Sequence, residues 1–186
     1  MRELTEMEKT RIEQKANEIL NQYNIDAENG VDIVELCKRI GFSIFLINNM
    51  KETDDGFIIV NNDVDALPGF ETNKIIAINA KRSYEEKRFI IAHELGHYVL
   101  RRQGQNIIAS RENRHGRSSD ENDVDFFAAC VLMPKDSFVA RYNEYKSAKE
   151  HFENVLDIAG RLAKHFGVPM RSAARRMEET ELISMG

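Results

Sequence analysis

The fold of this chain is decided by ten consecutive residues, Ile91-Ala92-His93-Glu94-Leu95-Gly96-His97-Tyr98-Val99-Leu100. His93 and His97 are four positions apart, so on a helix both imidazoles lie on one face, one turn apart. Glu94 follows His93 at about 100° around the helix axis, so its carboxylate can reach the same site without being a ligand. The His-Glu-x-x-His pattern is that of a zinc peptidase helix, in which two histidines bind the metal and the glutamate handles the proton of a water molecule.

The neighbouring sequence supplies the helix that this pattern needs. Ser83 and Glu86 form a capping box at its start, apolar residues recur at helical spacing, and Gly104 can end it. The alternative is that the two histidines are core residues bonded to the backbone and Glu94 is on the surface. Polar groups in so apolar a run are costly unless they are paired or metal-bound, which favours a metal site.

Composition describes a chain that folds as one compact domain. The 186 residues are 42% apolar and 31% charged, with a net charge of −5, which argues against non-specific binding of nucleic acid by the whole chain. The residues from Met1 to Glu6 lead into a charged helix without an apolar region, so no signal peptide is expected, and no apolar run approaches a membrane span. Cys37 and Cys130 fall on apolar helix faces, which predicts buried free thiols and a reducing, cytoplasmic setting.

Periodicity and turn signals predict an α+β fold. The predicted fold is a small antiparallel or mixed three-stranded sheet, packed on the His93–His97 helix and surrounded by helices, and the short loops favour an antiparallel meander. We expect one domain over residues 1–147 and a C-terminal helical segment over 148–186 that packs on it. The predicted helices cover residues 6–22, 32–41, 83–104, 118–133, 136–145, 150–166 and 170–183, and the predicted strands cover 42–47, 57–60 and 74–79.

A second informative stretch, residues 118–134, offers the third metal ligand. A catalytic zinc with two histidines lacks one protein ligand, and Asp123 shares a face with apolar residues such as Phe126 and Cys130, where a carboxylate needs a partner. Asp123 is therefore the preferred ligand. Glu121, on a less apolar face, is the second choice, because a helix N-terminus favours acidic residues in any case. Asp125 can orient a ligand histidine through its other ring nitrogen.

Two further segments have alternative interpretations. Residues 103–118 are polar, which favours a solvated loop over a lid beside the metal site. Residues 163–169, followed by Arg171, Arg175 and Arg176, are similar to a helix-turn-helix. Two core-packing helices with solvated arginines are favoured there, and DNA binding through residues 150–186 is the alternative. Tyr98 and His115 are candidates for a donor to the oxyanion.

Four motifs in order resemble the ImmA/IrrE metallo-endopeptidase family, most strongly over residues 74–134. The resemblance implies a zincin-like fold and a cytoplasmic, zinc-dependent protease that cuts DNA-binding repressors in response to stress or a signal, often in connection with mobile elements. The family's usual third ligand is a glutamate in a Glu-Ala-Asn-like string, and Asp123 takes that place here. The motifs are Ile76-Ala77-Ile78-Asn79, residues 88–97, Asp123-x-Asp125-x-Phe127-Ala128-Ala129 and Leu132-Met133-Pro134.

The sequence therefore predicts a metallo-endopeptidase in which His93, His97 and Asp123 hold Zn²⁺ and Glu94 is the general base. The expected partner is a protein substrate, a helix-turn-helix repressor. The alternative is a non-hydrolytic zinc-binding regulator that binds a repressor or DNA. A fourth protein ligand, such as His115 or Glu121, would favour that alternative. No membrane partner is predicted, and the sequence carries no signal for an oligomeric state.

Overall fold

Helices surround a small mixed sheet in the computed structural model, which describes residues 4–101, 106–108, 119–148 and 155–183. The predicted α+β class is confirmed. In chain order, the elements of these ranges are α1 (Glu6–Gln22), α2 (Ile33–Ile40), β1 (Ser43–Ile47), β2 (Gly56–Val60), β3 (Lys74–Asn79), α3 (Tyr84–Leu100), β4 (Ile107–Ile108), α4 (Ser119–Leu132), α5 (Lys135–Ser147), α6 (Val155–Phe166) and α7 (Met170–Glu179).

The sheet has the strand order β1-β3-β2-β4, which differs from the expected meander. β1 pairs with β3 in parallel, and β2 pairs with both β3 and β4 in the antiparallel sense. β3 is buried along nearly its whole length and is therefore central, whereas β1 exposes Phe45 and Leu46 and lies at an edge. The two-residue strand Ile107–Ile108 lies inside the segment predicted to be a polar loop, and it is too short to leave a periodic signal.

The long helix α3 begins as the sequence predicts and packs on the sheet. The side chain of Ser83 accepts a hydrogen bond from the amide of Glu86, and the Glu86 carboxylate accepts one from the amide of Ser83. Helix and sheet approach most closely at Gly56, where an added Cβ would lie 2.7 Å from the carbonyl oxygen of Ala77 and 2.8 Å from a methyl of Ile90. The helix ends at Leu100, before the predicted Gly104.

Helix α4 is buried on nearly every side. It packs against α3 on one face and α1 on another. Its buried residues include Asn122, Val124 and the unbroken run from Phe126 to Leu132. The helix ends before Pro134, as predicted.

The closing helices α6 and α7 are attached to the earlier elements by two arginines. Arg88 of α3 donates to the carbonyl oxygens of Gly167, at 2.9 Å, and Val31, at 2.7 Å. Arg176 of α7 is 1% exposed and donates to the carbonyl oxygen of Met133, at 3.1 Å, and to the carboxylate of Glu13 in α1, at 2.5 Å. The C-terminal segment therefore packs against α1, α3 and α4.

The last helix, α7, ends at Glu179, before the predicted residue 183. Glu181 has a positive φ of 59° and turns the chain away. Cys37 and Cys130 are buried free thiols, as predicted, and burial raises the pKa of Cys130 to about 12. Within the described ranges, none of the helices has the length and apolarity needed to cross a membrane.

Candidate metal centre and active site

Helix α3 brings His93 and His97 side by side. Their ring centroids are 5.0 Å apart and each side chain is 12% exposed, so the nitrogens face a site that is mostly shielded from solvent. Glu94, next to His93 in the chain, is 2% exposed, and its charge helps to raise the pKa of His93. The structure therefore brings the two histidines together as the helical spacing predicts, with Glu94 buried next to His93 in the chain.

The carboxylate of Glu121, from the first turns of α4, faces both imidazoles. Its two oxygens lie 3.3 Å from Nε2 of His93 and 3.6 Å from Nε2 of His97. Four ligands placed tetrahedrally at the usual 2.0–2.1 Å from zinc are about 3.3–3.4 Å from one another. Among the described residues, these three side chains form a group that could hold a metal ion, because one ligand atom from each lies within 4.8 Å of the others. Their spacing and donor types fit a zinc ion.

Asp125 contacts the ring nitrogen of His93 that does not face Glu121. An oxygen of its carboxylate is 2.8 Å from Nδ1 of His93, which leaves Nε2 directed toward the site. Asp125 is four residues after Glu121, so one face of α4 carries both carboxylates. The orienting contact expected from the sequence is present.

The surrounding acids make the site attractive to positive charge. Burial alone would lower the pKa of His93. Hydrogen bonds with Asp125 and Glu121 and the charge of Glu94 outweigh burial and raise this pKa to about 9. A bound metal cation would supply that positive charge in place of the proton. The metal would have to displace the proton, because it binds the neutral imidazole.

Asp123, the ligand preferred from the sequence, lies away from the histidines. Its carboxylate lies 3.9 Å from the guanidinium of Arg11 in α1. Asp123 is two residues from Glu121, which is about 200° around the helix axis, so the two carboxylates cannot share a site. Glu121, the second choice, occupies the position expected for Asp123. The signal that could have found it is the four-residue spacing of Glu121 and Asp125.

A protein-family model matches most of this chain. The family model Peptidase_M78, described as the IrrE N-terminal-like domain, matches residues 37–178. The chain belongs to this family. The match confirms the resemblance carried by the motifs and identifies a metallopeptidase-type domain. The matched residues include the two histidines, Glu94 and Glu121. No protein in the curated collection matches the chain.

A solved structure shares the fold of this IrrE-like chain. It is a Mycobacterium tuberculosis transcriptional regulator, which is 12% identical and superposes with a TM-score of 0.55 over 91% of this chain. The chain spans 46% of the length of that structure. At this identity the likeness concerns the fold alone.

Tyr98, one of the two candidates for an oxyanion donor, is held by residues outside the metal group. Its hydroxyl accepts a hydrogen bond from Nζ of Lys74, at 3.1 Å, and its ring packs edge-on against Phe42. His115 and most of the segment over residues 103–118 lie outside the described residues.

Two of the three arginines considered for DNA binding are held by carboxylates. Arg176 is buried against Glu13, and Arg175 donates to Glu179 at 2.9 Å. Arg171 is exposed. The favoured interpretation of this segment had all three arginines solvated. Arg176 departs from that interpretation because it is buried and bonds to Glu13 inside the molecule.

Proposed function

We propose that this chain is a zinc-dependent metallo-endopeptidase that cuts a DNA-binding repressor in the cytoplasm. One observation carries the catalytic part: two imidazoles and the carboxylate of Glu121 converge on one site, and Glu94, next to His93 in the chain, is buried. Two nitrogens and one oxygen suit zinc, and three protein ligands are the number that catalytic zinc sites use.

The side chains of the site divide the work. His93, His97 and Glu121 would hold the metal, and Asp125 keeps the imidazole of His93 in the orientation needed for binding. When bound, zinc supplies Lewis acidity that polarises the scissile carbonyl and lowers the pKa of water to about 7. Glu94 takes the proton of the attacking water and delivers it to the nitrogen of the leaving amine.

An open side of the site supports hydrolysis over a purely structural metal. The side chain of Glu121 is 39% exposed, whereas the histidines are largely covered. The residues that the structure describes contribute three ligands to the group, the number found in catalytic zinc sites, where water or substrate takes the fourth position. A structural zinc site is instead closed by four protein ligands.

The substrate class rests on family resemblance. The motifs resemble those of endopeptidases that act on repressors. An extended segment of the repressor could add to an edge of the sheet, since strand addition satisfies its backbone groups.

The test compares two isosteric variants of α3. Glu94→Gln removes the base and keeps the shape, and Glu85→Gln makes the same change in the first turn, away from the metal site. Each is incubated with the repressor encoded nearest to the gene. We expect Glu94→Gln to keep its zinc and lose cleavage by about 10²–10⁴-fold, and Glu85→Gln to cleave normally.

Chelation provides the second part of this test. Removal of zinc with EDTA should abolish cleavage by the unaltered chain, and added Zn²⁺ should restore it. Undiminished cleavage by zinc-loaded Glu94→Gln would remove Glu94 from the mechanism. Failure of the zinc-loaded, unaltered chain to cut any repressor encoded near its gene would favour a non-hydrolytic regulator.

A further inference from the structure

Helices α3 and α4 meet at Gly96, between the two histidines in sequence. A Cβ built on Gly96 would lie 2.9 Å from Cγ1 of Val124 and 3.0 Å from Cδ1 of Phe127, both on α4. Both partners are buried, with Val124 3% and Phe127 0% exposed. The absence of a side chain at position 96 is therefore what allows the two helices to lie this close.

This contact is one helical turn from the candidate ligands. Gly96 is three residues after His93, and Val124 is three residues after Glu121, so each pair lies on one side of its helix. A change in the helix separation at Gly96 is thus transmitted directly to the gap between the Glu121 carboxylate and the imidazoles. That gap is 3.3 Å at His93.

A methyl group at position 96 cannot be absorbed by side-chain movement alone. Val124 is β-branched, so it holds one strongly preferred rotamer in a helix, and it is 3% exposed in a close-packed interior. The added Cβ would be about half an ångström closer than ordinary contact, so the helices must separate. Metal sites tolerate errors of about 0.2 Å in ligand distance, which is less than this separation.

We propose that Gly96 is a positioning residue that sets the distance between Glu121 and the two histidines. The inference rests on the metal site proposed above and concerns its geometry, so it is tested by metal binding and not by cleavage. A chain that binds zinc but cuts no protein would defeat the proposed function and leave this inference standing.

The experiment uses three variants of the full chain. Gly96→Ala introduces the methyl, and Gly96→Ala with Val124→Ala also removes the nearer of the two side chains that it would meet. Gly160→Ala is the matched control, because a Cβ at this helical glycine in α6 meets nothing within 4 Å. Zn²⁺ affinity is measured by competition with a chelating dye, and the visible absorption of bound Co²⁺ reports the number and geometry of the ligands.

We expect Gly96→Ala to weaken Zn²⁺ binding by about 10- to 100-fold and to alter the Co²⁺ spectrum. Alanine is the better helix former, so a weaker helix cannot explain such a loss. The double variant should regain most of the affinity and the original spectrum, and Gly160→Ala should bind as the unaltered chain does.

Two results would overturn the proposal. One is Gly96→Ala that binds Zn²⁺ as tightly as the unaltered chain with an unchanged Co²⁺ spectrum. The other is a double variant that stays as weak as the single one. If Gly96→Ala does not fold, the double variant decides: folded protein with restored affinity is expected, and unfolded or weakly binding protein contradicts the proposal.

Discussion

At the scale of single residues, the choice of metal ligand depends on direction around one helix. Glu121 points to the imidazoles and Asp123 points to Arg11, although the two residues are only two positions apart. A side-chain carboxylate reaches a metal only when its helix face is turned toward it. Substitutions that keep the size of the side chain and remove its charge therefore distinguish the role of Glu121 from that of Asp123.

The first prediction at this scale concerns zinc affinity. Glu121→Gln should weaken Zn²⁺ binding by more than about 100-fold, because loss of a ligand costs more than loss of an outer-shell partner. Asp123→Asn is the matched control and should bind within a few-fold of the unaltered chain. Competition titration with a chelator measures both. The reverse order of the two effects would restore Asp123 as the ligand.

The sequence predicted the histidines and Glu94 because their information is local. His93 and His97 need only a helix between them, and the capping residues predict that helix. Sequence and structure favour different third ligands because α4 is buried on nearly all sides, so an apolar stripe beside Asp123 does not show which neighbour that stripe meets. That face meets α1, a contact made by residues distant in sequence.

At the scale of elements, the start of α3 depends on its capping box. Ser83→Ala removes the acceptor for the amide of Glu86, at 3.1 Å, and should lower the free energy of unfolding by about 1 kcal/mol. Ser83→Thr keeps a capping hydroxyl and should cost less. Urea unfolding followed by circular dichroism measures both. Equal losses for the two variants would show that the hydroxyl is not responsible.

Helix boundaries could be predicted where the chain carries its own signals, and strand order could not. The capping boxes at Thr5 and Ser83, and Gly41 with its φ of 99°, are local features that the structure confirms. The pairing of β1 with β3 joins strands separated by β2 and depends on burial in the finished molecule. Short connections alone therefore suggested the wrong neighbours.

At the scale of the whole molecule, Arg176 joins three helices. Arg176→Ala should lower the free energy of unfolding by about 2–3 kcal/mol, because it leaves the half-buried carboxylate of Glu13 and the carbonyl oxygen of Met133 without their charged donor. Arg175→Ala is the control, since that side chain is 47% exposed and its ion pair should contribute less than about 1 kcal/mol. Urea unfolding compares the two.

A matching loss in the two variants would contradict the proposal that Arg176 joins the helices.

The predicted boundary between residues 147 and 148 can be examined in the same experiment. If α6 and α7 belong to the same cooperative unit as the rest of the chain, far-ultraviolet and tyrosine signals should change together in one transition.

The contact between Arg176 and Glu13 also bears on the order of synthesis and folding. It joins residues 163 positions apart, so α1 receives this partner only after residue 176 has left the ribosome. Arg88 likewise waits for the carbonyl of Gly167. On a growing chain the histidine helix can form early, but its surroundings are completed late. A nascent molecule would therefore lack the bonds that attach α6 and α7 to the earlier helices until translation has passed both residues.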